Sequence, residues 1–143
     1  MNELRSRAIK LLARREHTRA ELAKKLALHG TQEEIESVLA DLERSGLLSD
    51  ARAASAYVRG HAARFGAARL RQTLRTKGVA VELIEEQVVG LPNEIDRARE
   101  IWTKKFGTAP VDAREWAKQA RFLQSRGFAS DVIRRLLREP VDD

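Results

Sequence analysis

The chain has 143 residues and no cysteine, with 27 Lys and Arg against 21 Asp and Glu, a formal net charge of +6. That length suits one domain or a few small repeated units, and the missing thiols exclude disulfide frameworks, thiolate metal sites and Cys nucleophiles. Charged residues make up 34% and apolar residues 43%, so the chain is globular rather than disordered, and nothing at its start reads as a signal peptide or a bilayer span. The expectation is a soluble cytoplasmic protein.

In chain order the apolar spacing is helical. Leu4, Ala8, Leu11 and Leu12 form one stripe; Leu22, Leu26 and Ala27 a second; Ile35, Val38, Leu39 and Leu42 a third. A helix starting near Ser49 carries Ala54 and Val58, with His61 and Phe65 continuing that stripe. From Arg69 to Lys77, Leu70 and Leu74 face inward, one turn apart. Trp102 and Trp116 then fall among helical apolar positions and read as core. Starts are marked by Thr18-x-x-Glu21, Thr31-x-x-Glu34 and Asp112-x-x-Glu115, all of capping-box form. Stops are marked by Gly30, Gly46, Gly66, Gly78, Gly107 and Gly127, residues able to take a left-handed C′ conformation.

Those signals amount to about nine helices, and they repeat. Aligning Gly30, Gly78 and Gly127 places Leu26, Leu74 and Leu123 four residues earlier in each case, and Ile35, Ile84 and Ile133 five or six residues later. A period of about this length is that of a three-helix unit with its loops. The expected fold is all-α: three tandem three-helix repeats over residues 1–48, 49–92 and 93–143.

Little in the chain suggests catalysis. His17, His29 and His61 lack a ligand partner at helical spacing, the glycines form no phosphate loop, and no serine sits in a nucleophile elbow. The pairs Glu33/Glu34 and Glu85/Glu86 read as first-turn acids complementing the helix macrodipole. No metal or cofactor is expected, and no enzyme.

Charge is more informative than its total. Residues 52–81 contain Arg52, Arg59, Arg64, Arg69, Arg71, Arg75 and Lys77 and no acid, whereas residues 8–51 and 82–143 are each close to neutral. A single-sign block attracts anionic partners; the alternative is a solvated face neutralised by acids from neighbouring units. These seven residues are the candidate contacts to a partner or to DNA. A winged helix-turn-helix over Thr18–Leu48 is also testable, and it fails. Its third helix would carry Glu33, Glu34, Glu36, Asp41 and Glu43, which phosphates repel, and a helix follows where the wing should be.

The chain resembles the RecX family of bacterial regulators of the recombinase RecA. The resemblance rests on Ala8-Ile-Lys-Leu-Leu-Ala-Arg-Arg-Glu-His-Thr-Arg-Ala-Glu-Leu22, Leu42-Glu-Arg-Ser-Gly-Leu-Leu-Ser-Asp50 and Ala56-Tyr-Val-Arg59. Leu70-Arg-Gln-Thr-Leu-Arg-Thr-Lys-Gly78, Lys104-Lys-Phe-Gly107 and Arg121-Phe-Leu-Gln-Ser-Arg-Gly-Phe-Ala-Ser-Asp-Val-Ile133 continue it in order. Ala53 stands where the family usually has Phe. The resemblance implies an elongated, curved array of three repeats that binds the RecA–single-stranded DNA filament. It also implies inhibition of ATP hydrolysis, strand exchange and coprotease activity, and with it modulation of recombination, DNA repair and the SOS response. A monomer is expected, with weak direct DNA contact as a secondary property. A sequence-nonspecific DNA binder acting without RecA is the alternative reading.

Overall fold

A computed structural model describes residues 2–138. Among them are nine helices and no strand: α1 (Asn2–Arg14), α2 (Arg19–Leu26), α3 (Gln32–Arg44), α4 (Asp50–His61), α5 (Ala67–Thr76), α6 (Val81–Val89), α7 (Glu94–Lys105), α8 (Ala113–Ser125) and α9 (Ser130–Arg138). None of these helices is long and apolar enough to cross a membrane.

Two of the three capping boxes are complete. The Thr18 and Thr31 hydroxyls accept from the amides of Glu21 and Glu34, whose carboxylates accept in return from the Thr18 and Thr31 amides. At α8 only half of the device forms. Asp112 accepts from the Glu115 amide, while the Glu115 carboxylate instead takes a bond from Gln119. The acid in the first turn of α6 is Glu82; Glu85 and Glu86 lie a turn further on, so they are not the first-turn acids that the sequence suggested.

Residues 2–57 together with Leu74–Gln87 form one compact unit, and Val58–Thr73 together with residues 88–138 form a second. In the first, Leu4 and Ala8 of α1 pack with Leu22 and Leu26 of α2, with Ile35, Leu39 and Leu42 of α3, and with Leu48. Ala27, expected in this stripe, is exposed because the helix has ended at Leu26. In the second, Ile95 and Ala98 of α7, Leu123 of α8, Phe128, and Ile133, Leu136 and Leu137 of α9 form the core. Trp102 packs on that core, and its indole N–H donates to buried Gln119 at 2.7 Å, which in turn donates to the Thr108 carbonyl. Trp116 lies on the same inward stripe of α8 but near its N-terminal end, where the core stops; it remains 37% exposed rather than buried.

One set of joints occurs twice. In the first unit the Thr18 hydroxyl donates to the Lys77 carbonyl at 2.6 Å, and the Arg19 amide donates to Asp50 at 2.8 Å. In the second unit the Gly66 amide donates to the Arg126 carbonyl at 2.6 Å, and the Ala67 amide donates to Glu94 at 3.3 Å. Thr18 and Gly66 precede α2 and α5, Lys77 and Arg126 precede the left-handed glycines Gly78 and Gly127, and Asp50 and Glu94 open α4 and α7. The first amide of α2, and likewise of α5, is thus satisfied by the acid that opens a later helix. The glycines are needed there: a Cβ on Gly78 would strike Ala20, and one on Gly127 would strike Arg69.

Four of the six stop glycines have the expected positive φ: Gly46, Gly78, Gly107 and Gly127. Gly30 and Gly66 do not. Gly30 packs against Leu4, and Gly66 lies against the backbone of Gly127, so at Gly66 the missing Cβ serves close approach rather than handedness.

Candidate functional site

The seven cations nominated by charge fall in both units: Arg52, Arg75 and Lys77 in the first, Arg59, Arg64, Arg69 and Arg71 in the second. Few of them are idle. Arg52 pairs with Glu16 at 2.9 Å. Lys77 pairs with Glu21 at 2.8 Å and lies over the Tyr57 ring at 5.5 Å. Arg69 donates to the Ser125 carbonyl and stacks 4.0 Å from the Phe65 ring centroid; Arg64 covers the same ring at 5.2 Å. Arg59, Arg71 and Arg75 are engaged as well. Arg52, Arg59, Arg64, Arg69 and Arg75 remain exposed, whereas Arg71 and Lys77 are half-buried.

Around Lys77 the geometry sets the electrostatics. Burial alone would raise the Glu21 carboxyl, but hydrogen bonds from Lys77, the Thr18 amide and Arg15 outweigh it and hold the group at about 2. His17, beside this cluster, is buried. Its Nδ1 donates to the Arg15 carbonyl and its Nε2 accepts from Lys25 Nζ, so the ring is neutral, and burial pushes its pKa below the usual value. His61 stacks on Phe65, as a core-edge residue would. Among the described residues no three His, Asp or Glu side chains converge as a metal site.

Arg97 was not anticipated. It is half-buried against the end of α4, where it donates to the Ala62 and Phe65 carbonyls, and desolvation lowers its pKa despite Glu94. It satisfies carbonyls that the helix leaves open, a structural role.

A second group of cations escaped the segment count. Between residues 113 and 138, seven basic side chains face only Glu115 and Asp131. Arg114, Lys118 and Arg121 lie at i, i+4 and i+7 along α8 and are all exposed. Arg134, Arg135 and Arg138 are exposed on α9, opposite its buried Ile133, Leu136 and Leu137. None of these six has an ion pair or hydrogen bond among the described residues, in contrast to the middle block. Tallying charge helix by helix would have found them.

Comparison with known proteins accords with this organisation. Family models for the first, second and third three-helix domains of RecX match residues 5–42, 49–86 and 93–137. The chain is 53% identical over 137 residues to a "Regulatory protein RecX" from Leptothrix cholodnii, covering 94% of this chain and 87% of that protein. A protein of the same name from Chromobacterium violaceum is 43% identical, with 98% and 92% covered. A crystal structure of a regulatory protein RecX superposes with a TM-score of 0.80 at 26% identity, covering 96% of this chain and 71% of that one. RecX from Lactobacillus salivarius, at 19% identity and a TM-score of 0.79 over 95% and 93% of the chains, shares the fold. Three domain matches in order, carried on nine helices and joined by recurring contacts, make this chain a member of the RecX family.

Proposed function

We propose that this protein is a non-enzymatic regulator of the RecA recombinase. It binds the RecA–single-stranded DNA filament in the cytoplasm and inhibits its ATPase, strand-exchange and coprotease activities, which moderates recombination and the SOS response. The observation that carries this reading is the ordered match of all three RecX domains across residues 5–137. The working unit is a monomer of three repeats with boundaries near residues 48 and 92. No cofactor takes part, since the action is occupancy of a partner's surface.

Within that reading the exposed cations of the middle block, Arg52, Arg59, Arg64, Arg69 and Arg75, with half-buried Arg71 and Lys77, are the proposed filament contacts. Guanidinium groups present planar forks suited to carboxylates on protein and to phosphates alike. Ion pairs to Glu16 and Glu21 and the contacts on Phe65 restrict Arg52, Lys77, Arg64 and Arg69, and pre-ordered side chains lose less entropy on binding.

The test is RecA's ATP hydrolysis on single-stranded DNA with this protein added below the RecA concentration. Inhibition at amounts too small to cover the DNA supports the proposal; hydrolysis unchanged until the DNA is saturated rejects it. Arg71→Glu with Arg75→Glu should weaken inhibition while helical content, read by circular dichroism, stays the same. Full inhibition by that variant would make the middle block a solvated face.

A further inference from the structure

The third helices of the three domains share one place in the fold but not one charge. On α3 the outward acids are Glu33, Glu34, Glu36 and Glu43, the last two paired with Arg19, and on α6 they are Glu82 and Glu86. On α9 they are Arg134, Arg135 and Arg138, with Asp131 the lone acid. A recess of about 560 Å³ beside α3 is lined by Glu3, Glu33, Glu34 and Asp41 against Arg5 and His29, with Asp41 paired to Arg5. Phosphates are repelled from the first two third helices and attracted to the last.

The approach to α9 fits the same partner. α8 and α9 are joined by four residues, Arg126–Ala129, with Gly127 at a φ of +94°, the short glycine-containing turn of a helix-turn-helix. In such a pair the second helix enters the major groove of a duplex while the first crosses the sugar–phosphate backbone. Here the second helix presents three arginines, and the first presents the row Arg114, Lys118 and Arg121, about 10 Å long at 1.5 Å per residue. The shared core of Leu123, Phe128, Ile133 and Leu137 holds the two helices together. All six cations lack a partner among the described residues, so binding breaks no ion pair there.

We infer that α8 and α9 form a duplex-DNA site, read through the phosphate backbone without base specificity, in the third domain. The site is independent of the filament reading above, and it lies outside the block that the charge arithmetic singled out.

The experiment is fluorescence anisotropy of a labelled 20-base-pair duplex with the full chain, without RecA, over a salt series from about 50 to 200 mM. With four to six phosphates contacted, log affinity should fall with log salt at a slope of about −4 to −5, at about −0.9 per contact. Arg134→Gln with Arg138→Gln should make the slope about 1.8 units shallower and weaken binding roughly fifty-fold near 0.1 M salt. The matched change Arg7→Gln with Lys10→Gln, on an exposed cationic stripe of α1, should leave affinity within about twofold. A wild-type slope shallower than about −1, an unchanged slope in the α9 variant, or equal losses in both variants would overturn the site. So would a preference for single strands of the same length. Circular dichroism of each variant serves as the check on folding. RecA ATPase inhibition, measured on the same preparations, reports on the filament reading separately.

Discussion

Four glycines permit a test of the recurring joint in which handedness and close approach vary independently. Gly60, inside α4, has neither constraint: its φ is not positive and a Cβ there would meet nothing within 4 Å. Gly46 has a φ of +84° and open space. Gly66 has no positive φ, yet its Cβ would strike the Gly127 carbonyl. Gly127 combines both constraints, with a φ of +94° and a clash against the backbone and Cβ of Arg69.

Changing each to Ala should therefore separate the terms. Gly60→Ala removes unfolded-state entropy from a helical position and should stabilise by about 0.5–1 kcal/mol. Gly46→Ala should cost about 1–2 kcal/mol, the left-handed penalty. Gly66→Ala should cost about 1–3 kcal/mol, because the obstructing atoms are backbone and cannot swing aside. Gly127→Ala should cost roughly the sum, about 2–5 kcal/mol. Thermal unfolding followed by circular dichroism would register these at about 3 °C per kcal/mol for a chain of this size. Equal melting temperatures for Gly46→Ala and Gly127→Ala would refute the joint, since only the second crosses it.

The remaining predictions concern the cluster around the first joint. His17 has its pKa below the ordinary 6.5, chiefly through burial, so the unfolded chain binds the proton more readily. Stability from this group is complete above about pH 6.5 and falls as pH drops from there toward the folded-state value. His17→Gln should flatten the melting temperature between pH 7 and 5, and an unaltered profile would sink the assignment. Glu21, held at about 2, contributes stability above its ordinary 4.5 that is lost as the pH falls toward 2. Glu21→Gln should thus destabilise by about 1–2 kcal/mol at pH 7 and much less at pH 2, as urea titration at both values would show. Thr18→Val removes the Glu21 amide's acceptor and the bond to Lys77, and a loss of about 1–2 kcal/mol in the same titration is expected.

The helices were largely legible before any coordinates. Helical periodicity depends on neighbours three and four residues apart, so Leu22 with Leu26, or Ile133 with Leu137, announces a buried face locally. The Thr18 and Thr31 caps are equally local, because donor and acceptor lie three residues apart. The Asp112 box was only half right. Glu115 had a competing donor in Gln119, and the sequence does not reveal that Gln119 is buried between Trp102 and Thr108.

The site was less legible, for two reasons. Counting residues 82–143 as one segment let the acids Glu82, Glu85 and Glu86, with Glu139, Asp142 and Asp143 outside the described residues, cancel the cations of α8 and α9. Charge also says nothing about engagement: Arg52 and Lys77 look as free in the sequence as Arg134, yet they are paired with Glu16 and Glu21, 36 and 56 residues away.

Apolar periodicity, glycine spacing and charge along the chain by themselves pointed to helices, a basic middle and a repeat of about 48 residues. Helix formation and capping are short-range, and a net charge is a sum over side chains, so both can be read along the chain. Only the tertiary structure decided which cations remain unpaired and which glycines are held by contact rather than handedness. Those properties depend on residues brought together across tens of positions by packing, and the excess of +6 acquires an address only after the acids that face it have been placed.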